Sequence, residues 1–314
     1  MKVLFIDTTH PVLPQLLKAK GVECIMADSL SKEEIENILP SYDGIVLRSR
    51  FKLDADFIEK GKELKFIARP GAGLENIDVT FAESKGIKCF RSPEGNRDSV
   101  AEHAIGMLLA LFNNLFKADA EVRAGIWNRT ANWGVELKGK TIGIIGYGFM
   151  GEAFAQRLSG FDVKVIVYDK YKKNYAHRGD YIVESTLEYL FEESDVVSLH
   201  VPLTAETLQM VNTNFFKQFK KNIYLINTAR GGIVNLTDLS AAIKNGKVLG
   251  ACLDVFEFEE QSFEHTQTSN SEGMQYLIQS NKVLLSPHIA GWTKESNEKI
   301  ARVIGEKIIS EFNL

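Results

Sequence analysis

The first chemical signal is a set of three glycines and an acid. Gly146, Gly148 and Gly151 form a G-x-G-x-x-G turn within 141–169, TIGIIGYGFMGEAFAQRLSGFDVKVIVYD. A short apolar run precedes the turn, an amphipathic run follows it, and a second apolar run ends in Asp169. A glycine turn between a strand and a helix suits a dinucleotide. Gly146 allows a tight exit from the strand, Gly148 lets the backbone approach a pyrophosphate, and Gly151 lets the helix pack close on the sheet. The pyrophosphate would rest on the unpaired N–H groups of the helix that starts near Phe149. Asp169 stands where an acid accepts from the adenosine ribose hydroxyls. Its charge would repel a 2′-phosphate, which predicts NAD over NADP, although Lys170, Lys172 and Lys173 beside it soften that preference. The plainer alternative is a structural glycine turn.

Three further residues carry groups suited to chemistry at the ends of later strands. Arg230 follows the run 223–226, Glu259 follows 248–253, and His288 follows 282–285. In a parallel sheet these ends share one carboxyl edge, the edge that meets the nicotinamide of a bound dinucleotide. Taken singly, each also fits a plainer role. Arg230 can be a surface ion-pair partner, Glu259 part of a solvated acidic run (257–260), and His288 a satisfied core histidine.

The elements that must position these groups alternate strand and helix along the chain. In the first ninety residues, strands are expected at 2–6, 23–26, 44–47, 66–68 and 88–90, with helices between them. Ser31 and Glu34 form a capping box for one of those helices. Alternation of this kind predicts parallel sheets covered on both faces, with ligands beyond the carboxyl ends of the strands. A polar cluster at 91–97 is a candidate domain crossing. The longest helical pattern follows, from Ser99 to about Arg123, with a broad apolar stripe suited to core packing or to a subunit interface. A polar, irregular segment is expected at 261–273, and Thr293 is a candidate cap for the last helix, which can return to the first domain.

Composition narrows the function classes. The chain has 314 residues, 45% hydrophobic and 25% charged, with a net charge of −4. This suits two globular domains and creates no field for nucleic acid. The longest apolar run, 104–112, is too short to cross a bilayer. Three cysteines, Cys24, Cys89 and Cys252, lie in or beside apolar runs and read as buried free thiols. With an opening strand, KVLFID, and no leader-like segment before it, they suggest a cytoplasmic protein.

GYGFMG, HVPLTAET, NTARGGIV, GACLDVFEFE and SPHIAGWT, in this order, resemble the D-isomer-specific 2-hydroxyacid dehydrogenases, and the resemblance covers nearly the whole chain. It implies an α/β fold of two doubly wound parallel-sheet domains, a Rossmann dinucleotide domain (97–288) inserted into a flavodoxin-like substrate domain (1–96 and 289–314). It also implies an NAD-dependent oxidoreductase, with Arg230, Glu259 and His288 as its catalytic arginine, glutamate and histidine. A guanidinium binds the carboxylate of a 2-keto acid and polarises its carbonyl, while an imidazole exchanges the hydroxyl proton. At the cofactor the resemblance adds Phe149, Met150, Val201, Pro202, Thr228, Ala229, Asp254 and Gly291. Asp254, near the carboxamide, also fits a structural acid at a strand end. The helix starting near Ser99 is the counterpart of the family's dimer helix, which implies a homodimer. The family's proline after the glutamate is replaced by Glu260, so Glu257 and Glu260 stay open as alternatives to Glu259.

The substrate is read from the first domain. LRSR and ARPGAG place Arg48, Arg50 and Arg69 at strand ends, where three guanidiniums suit a phosphate; surface ion pairing is the plainer role. LRSR resembles the corresponding segment of D-3-phosphoglycerate dehydrogenases, and Gly71, Ala72 and Gly73 resemble the loop that holds the substrate carboxylate. The expectation is 3-phosphoglycerate/3-phosphohydroxypyruvate, with a glyoxylate or hydroxypyruvate reductase second and a non-catalytic NADH-sensing protein third. No length remains after Leu314 for a serine-sensing domain, so feedback by that route is not expected.

Overall fold

A computed structural model describes residues 1–175, 181–257 and 272–314. The described chain forms two compact units. Met1–Arg97 and Trp292–Leu314 make one; 98–257 and 272–291 make the other. The divisions fall near, though not at, the expected crossings.

The first unit holds five strands: β1 (Lys2–Phe5), β2 (Glu23–Met26), β3 (Gly44–Val46), β4 (Phe66–Arg69) and β5 (Lys88–Arg91). They pair in parallel in the order β2-β1-β3-β4-β5. This is the flavodoxin-like arrangement, with its switch point between β1 and β3. Side chains two apart share a face, and here the two faces are two separate cores. Leu4, Ile6, Ile45 and Ile67 enter one, while Val3, Phe5, Val46 and Phe66 enter the other. The C-terminal helix Lys294–Phe312 closes the second core with Ala301, Ile304 and Ile308. Thr293 starts that helix in a capping box with Ser296, and Ser31 does the same with Glu34 at the helix Lys32–Ile38.

The second unit holds β6 (Thr141–Ile145), β7 (Lys164–Tyr168), β8 (Ile182–Glu184), β9 (Val196–Leu199), β10 (Ile223–Asn227), β11 (Val248–Leu253) and β12 (Val283–Leu285). Their order is β12-β11-β10-β9-β6-β7-β8, all parallel. From β6 outward this is the Rossmann order, with the switch point between β6 and β9. Again the two faces separate: Val197, Leu225 and Leu253 pack on one side, and Val196, Ile226 and Cys252 on the other. Both sheets are thus doubly covered, as α/β alternation predicts.

Two expectations are corrected, and one strand was not anticipated. The long helix 99–123 is two helices, Arg97–Phe112 and Leu115–Arg123, bent by 61°. Asn114 breaks it by adopting a left-handed conformation (φ 51°), which asparagine tolerates better than most side chains. β8 was not legible, because this three-residue edge strand buries only Ile182. The segment expected to be irregular through Gly273 is helical from Glu272 to Gln279; the rest of it lies outside the described residues. Among the described residues no single helix is long and apolar enough to cross a membrane. Cys24 and Cys252 are buried, whereas Cys89 is only partly so. Burial nonetheless pushes the Cys89 thiol up to about 11, away from thiolate chemistry.

His200, just after β9, links fold to pH. Its ring lies against Phe154, with Nε2 2.8 Å from Ser198 Oγ, and desolvation pushes its pKa down to about 3. Since 6.5 is the ordinary value, the unfolded chain binds a proton here that the folded chain refuses. Its contribution to stability is therefore complete above pH 6.5 and is lost as pH falls toward 3, by at most about 1.4 kcal/mol per pH unit. Denaturant midpoints measured across this range should fall more steeply for the native chain than for His200→Gln. Equal slopes would refute the assignment.

Candidate active site

The glycine turn leaves β6 with Gly146 at φ +95°, where a Cβ would lie 2.6 Å from the carbonyl oxygen of His200. A Cβ on Gly151 would lie 2.1 Å from the carbonyl oxygen of Gly146, so helix and strand touch backbone to backbone. Gly148 is different: none of the described residues lies within 4 Å of its missing Cβ. Its bareness serves no internal packing and leaves room for a ligand. Gly148 also caps the helix Phe149–Arg157 without any side-chain oxygen, so the first-turn N–H groups, including those of Phe149 and Met150, stay available to an anion. Val201 borders the turn, its Cγ1 2.9 Å from a Cβ on Gly146, and the exposed Pro202 follows it.

Asp169 closes β7. Its Oδ2 accepts from Tyr147 N at 2.8 Å, and its Oδ1 accepts from Tyr171 N and Lys172 N at 3.0 and 3.1 Å. These bonds fix the carboxylate beside the glycine turn. Two neighbouring lysines are committed elsewhere: Lys170 pairs with Glu206, and Lys172 donates to Tyr147 O at 2.7 Å. They do not neutralise Asp169 directly.

At the end of β10, buried Asn227 folds the turn that carries Arg230. Its Nδ2 donates to Arg230 O at 3.0 Å, and its Oδ1 accepts from Ala229 N at 3.1 Å. Gly231 then passes so close to β11's exit that a Cβ would lie 1.7 Å from Phe256 O. This contact brings the Arg230 turn beside 254–257. Thr228 Oγ1, in the same turn, is buried and has no hydrogen-bond partner among the described residues. An unsatisfied hydroxyl at this edge suits a ligand that supplies the missing partner.

Asp254 is 1% exposed. Its Oδ1 accepts from Ser286 Oγ at 2.6 Å and Ile289 N at 2.9 Å, and its Oδ2 accepts from Ala290 N at 2.9 Å. Its main-chain oxygen accepts from His288 N at 2.7 Å. All four of these donors belong to the segment that carries His288, so the structural reading of Asp254 is the one its contacts support. His288 itself sits at φ +54°, and Gly291 ends this unit. Glu259 and Glu260 lie outside the described residues. Glu257 is committed, accepting from Gln209 Nε2 at 2.6 Å and Leu236 N at 3.3 Å.

In the first unit two of the three expected guanidiniums, those of Arg50 and Arg69, donate to main-chain carbonyls. Arg50 donates to the carbonyls of Ile6, Ala27 and Leu30 at 3.1, 3.3 and 2.6 Å. Arg69 is buried and donates to Arg48 O at 2.8 Å and Gly73 O at 2.7 Å. Both arginines thus spend N–H groups on loop carbonyls. Arg48 is the exception: its guanidinium stacks 5.3 Å from the centroid of the exposed Trp292 ring and makes no hydrogen bond among the described residues. In the glycine loop, Gly71 N contacts Ser92 Oγ at 3.3 Å, while the amides of Ala72 and Gly73 donate to no acceptor among the described residues.

The family described as "D-isomer specific 2-hydroxyacid dehydrogenase, NAD binding domain" matches residues 105–290. The chain belongs to the D-isomer-specific 2-hydroxyacid dehydrogenases. Members of this family are NAD-dependent oxidoreductases. The dehydrogenase is 38% identical over 300 residues to a hydroxypyruvate reductase of Thermotoga maritima, covering 96% of this chain and 94% of the relative. It is 36% identical over 312 residues to a D-3-phosphoglycerate dehydrogenase of Archaeoglobus fulgidus, covering 99% of this chain but only 57% of that longer protein. Among solved structures it resembles the D-lactate dehydrogenase of Aquifex aeolicus, complexed with NAD and lactic acid. The TM-score is 0.81 and the identity 29%, covering 100% of this chain and 96% of that one.

Sequence reasoning overlooked several residues of this dehydrogenase. Asp7, after β1, accepts from the amides of Arg48, Ser49 and Arg50 through Oδ2 at 3.0, 2.9 and 3.2 Å and shapes the loop that presents Arg48. An acid at the end of the first strand was a visible signal. Trp292, His103 and Ser286 carried none, because each matters only through a partner distant in sequence or newly stacked on it.

Asp169→Ser should weaken NADH binding about tenfold, the order of one charge-assisted hydrogen bond, and narrow the preference over NADPH. Titration of both cofactors by fluorescence would measure this. Unchanged discrimination would remove Asp169 from the ribose.

Proposed function

We propose that this dehydrogenase uses NADH to reduce a small unphosphorylated 2-keto acid, of the hydroxypyruvate or glyoxylate class, to the D-2-hydroxy acid. The observation that carries this reading is the use of Arg50 and Arg69 by loop carbonyls, whereas the Arg48 guanidinium donates no hydrogen bond among the described residues. A single cation suits a small acid better than a phosphate dianion, for which clustered arginines are the usual solution. Similarity to a hydroxypyruvate reductase over nearly the whole of both chains supports the same choice.

The cofactor, when bound, supplies hydride to the carbonyl carbon. Arg230 holds the substrate carboxylate and polarises the carbonyl. His288 delivers the proton to the developing alkoxide, and accepts it in the reverse direction. Glu259 is assigned to orient His288. Glu257, already held by Gln209 and Leu236, is a poor substitute.

A second reading is 3-phosphohydroxypyruvate/3-phosphoglycerate. It is favoured by the uncommitted Arg48 and by similarity to phosphoglycerate dehydrogenases. An assay of NADH oxidation across 2-keto acids separates the two. Hydroxypyruvate or glyoxylate should exceed 3-phosphohydroxypyruvate in kcat/KM by at least about tenfold, and the reverse order would overturn the first reading. Arg48→Ala should raise KM with little loss of kcat. His288→Ala should lower kcat by about 100-fold or more while NADH still binds. A protein that binds NADH but reduces none of the acids would be a sensor.

We further propose a homodimer. From Leu115 to Trp133 the chain exposes Leu115, Phe116, Val122, Ile126, Trp127 and Trp133, the two tryptophans at 80% and 82%. Clustered apolar surface of this kind calls for a partner, and a second copy meets the need by symmetry. Sedimentation should give twice the 35.2 kDa chain mass, and Trp127→Glu with Trp133→Glu should give monomers. A native monomer would refute the interface.

A further inference from the structure

The left-handed backbone of His288 needs a cause. Such a conformation is disfavoured for a residue that carries a Cβ, so the surroundings must impose it. Asp254 supplies part of the restraint, since its main-chain oxygen and both carboxylate oxygens accept amides from His288, Ile289 and Ala290. A carboxylate that is 1% exposed must itself be held by donors. One of these is Ser286 Oγ, 2.6 Å from Asp254 Oδ1.

Counting protons extends the chain of contacts. The Ser286 hydroxyl has one proton, and the short bond to Asp254 uses it. Ser286 Oγ also lies 2.9 Å from His103 Nε2, where it can then only accept. His103 must therefore carry its proton on Nε2. The same nitrogen is 3.5 Å from Asp254 Oδ1. His103 stands on the helix Arg97–Phe112, and Ser99 of that helix donates to Ala290 O at 2.6 Å. The helix thus grips the His288 segment before and after the histidine, at Ser286 and at Ala290.

We infer that His103 and Ser286 are positioning residues that, through Asp254, hold His288 in its left-handed conformation and so set the direction of its imidazole. This rests on the reading of His288 as the acid–base group. Neither residue need touch substrate or cofactor. Without the Ser286 hydroxyl, Asp254 Oδ1 loses a charge-assisted donor and His103 Nε2 its acceptor, and the segment can relax toward an ordinary backbone. A reacting group displaced by about 1 Å can cost on the order of 100-fold in rate.

The test uses the full chain and the best 2-keto acid from the panel, with turnover normalised to NADH-binding sites. Ser286→Ala and His103→Ala should each lower kcat by about 10- to 100-fold, leaving the NADH Kd and the keto-acid KM within about twofold. Ser286→Thr and His103→Gln, which keep a hydroxyl and an N–H donor, should recover most of the loss. If the alanine variants keep near-native turnover per NADH site while His288→Ala is inactive, the positioning role is overturned and the catalytic reading stands. Activity lost only in proportion to NADH sites, or no recovery in either conservative variant, also overturns it. Turnover by His288→Ala would instead remove the catalytic reading itself. Should one alanine variant fail to fold, the other carries the same comparison.

Discussion

The second unit depends on a contact between backbones. Gly151 lies under the carbonyl of Gly146, and Gly146 lies against the carbonyl of His200, with no space for a Cβ at either position. This closeness sets the helix Phe149–Arg157 directly on the end of β6, at the point where the strand order reverses. The helix's bare N–H groups then open at the carboxyl edge of the sheet. A larger residue at Gly146 or Gly151 would push helix and strand apart and carry those N–H groups away from the edge. Gly231 repeats the device at β10, where its approach to Phe256 O holds the Arg230 turn against the end of β11.

A second constraint runs through both units: charged groups at the strand ends serve the backbone first. A strand that stops in a loop leaves amides and carbonyls without ladder partners, and each must be satisfied. Asp7 takes the amides of 48–50, Asp169 those of Tyr147, Tyr171 and Lys172, and Asp254 those of Ile289 and Ala290. Arg50 and Arg69 do the converse for carbonyls. Such groups shape the loops. Chemistry is left to those they hold in place, which explains why a count of charges at an edge overstates the charge available to a ligand.

Most of the architecture was legible because parallel α/β sheets write themselves locally. Apolar runs of strand length, glycine or proline punctuation and amphipathic helices follow one another, and each helical crossover has only one favoured hand. The missed elements lacked such local signals. β8 buries one side chain, and the bend at Asn114 interrupts an apolar pattern that is otherwise continuous. The glycine turn and the places of Arg230 and His288 at strand ends were readable for the same reason, as residues at the boundaries of periodic runs.

What the sequence determined by itself was therefore the order of elements, the two sheets they build, and the family with its NAD-linked chemistry, all of which rest on short-range pattern and motif. Tertiary structure alone decided how each polar group is spent. Arg48, Arg50 and Arg69 are one residue type at similar strand ends, yet two face carbonyls and one stacks on Trp292, which lies far along the chain. Asp254 grips the segment that carries His288, and His103 reaches Ser286 from the helix Arg97–Phe112. Hydrogen bonds form between groups that folding brings within about 3 Å, and that distance is not written in any local stretch of sequence.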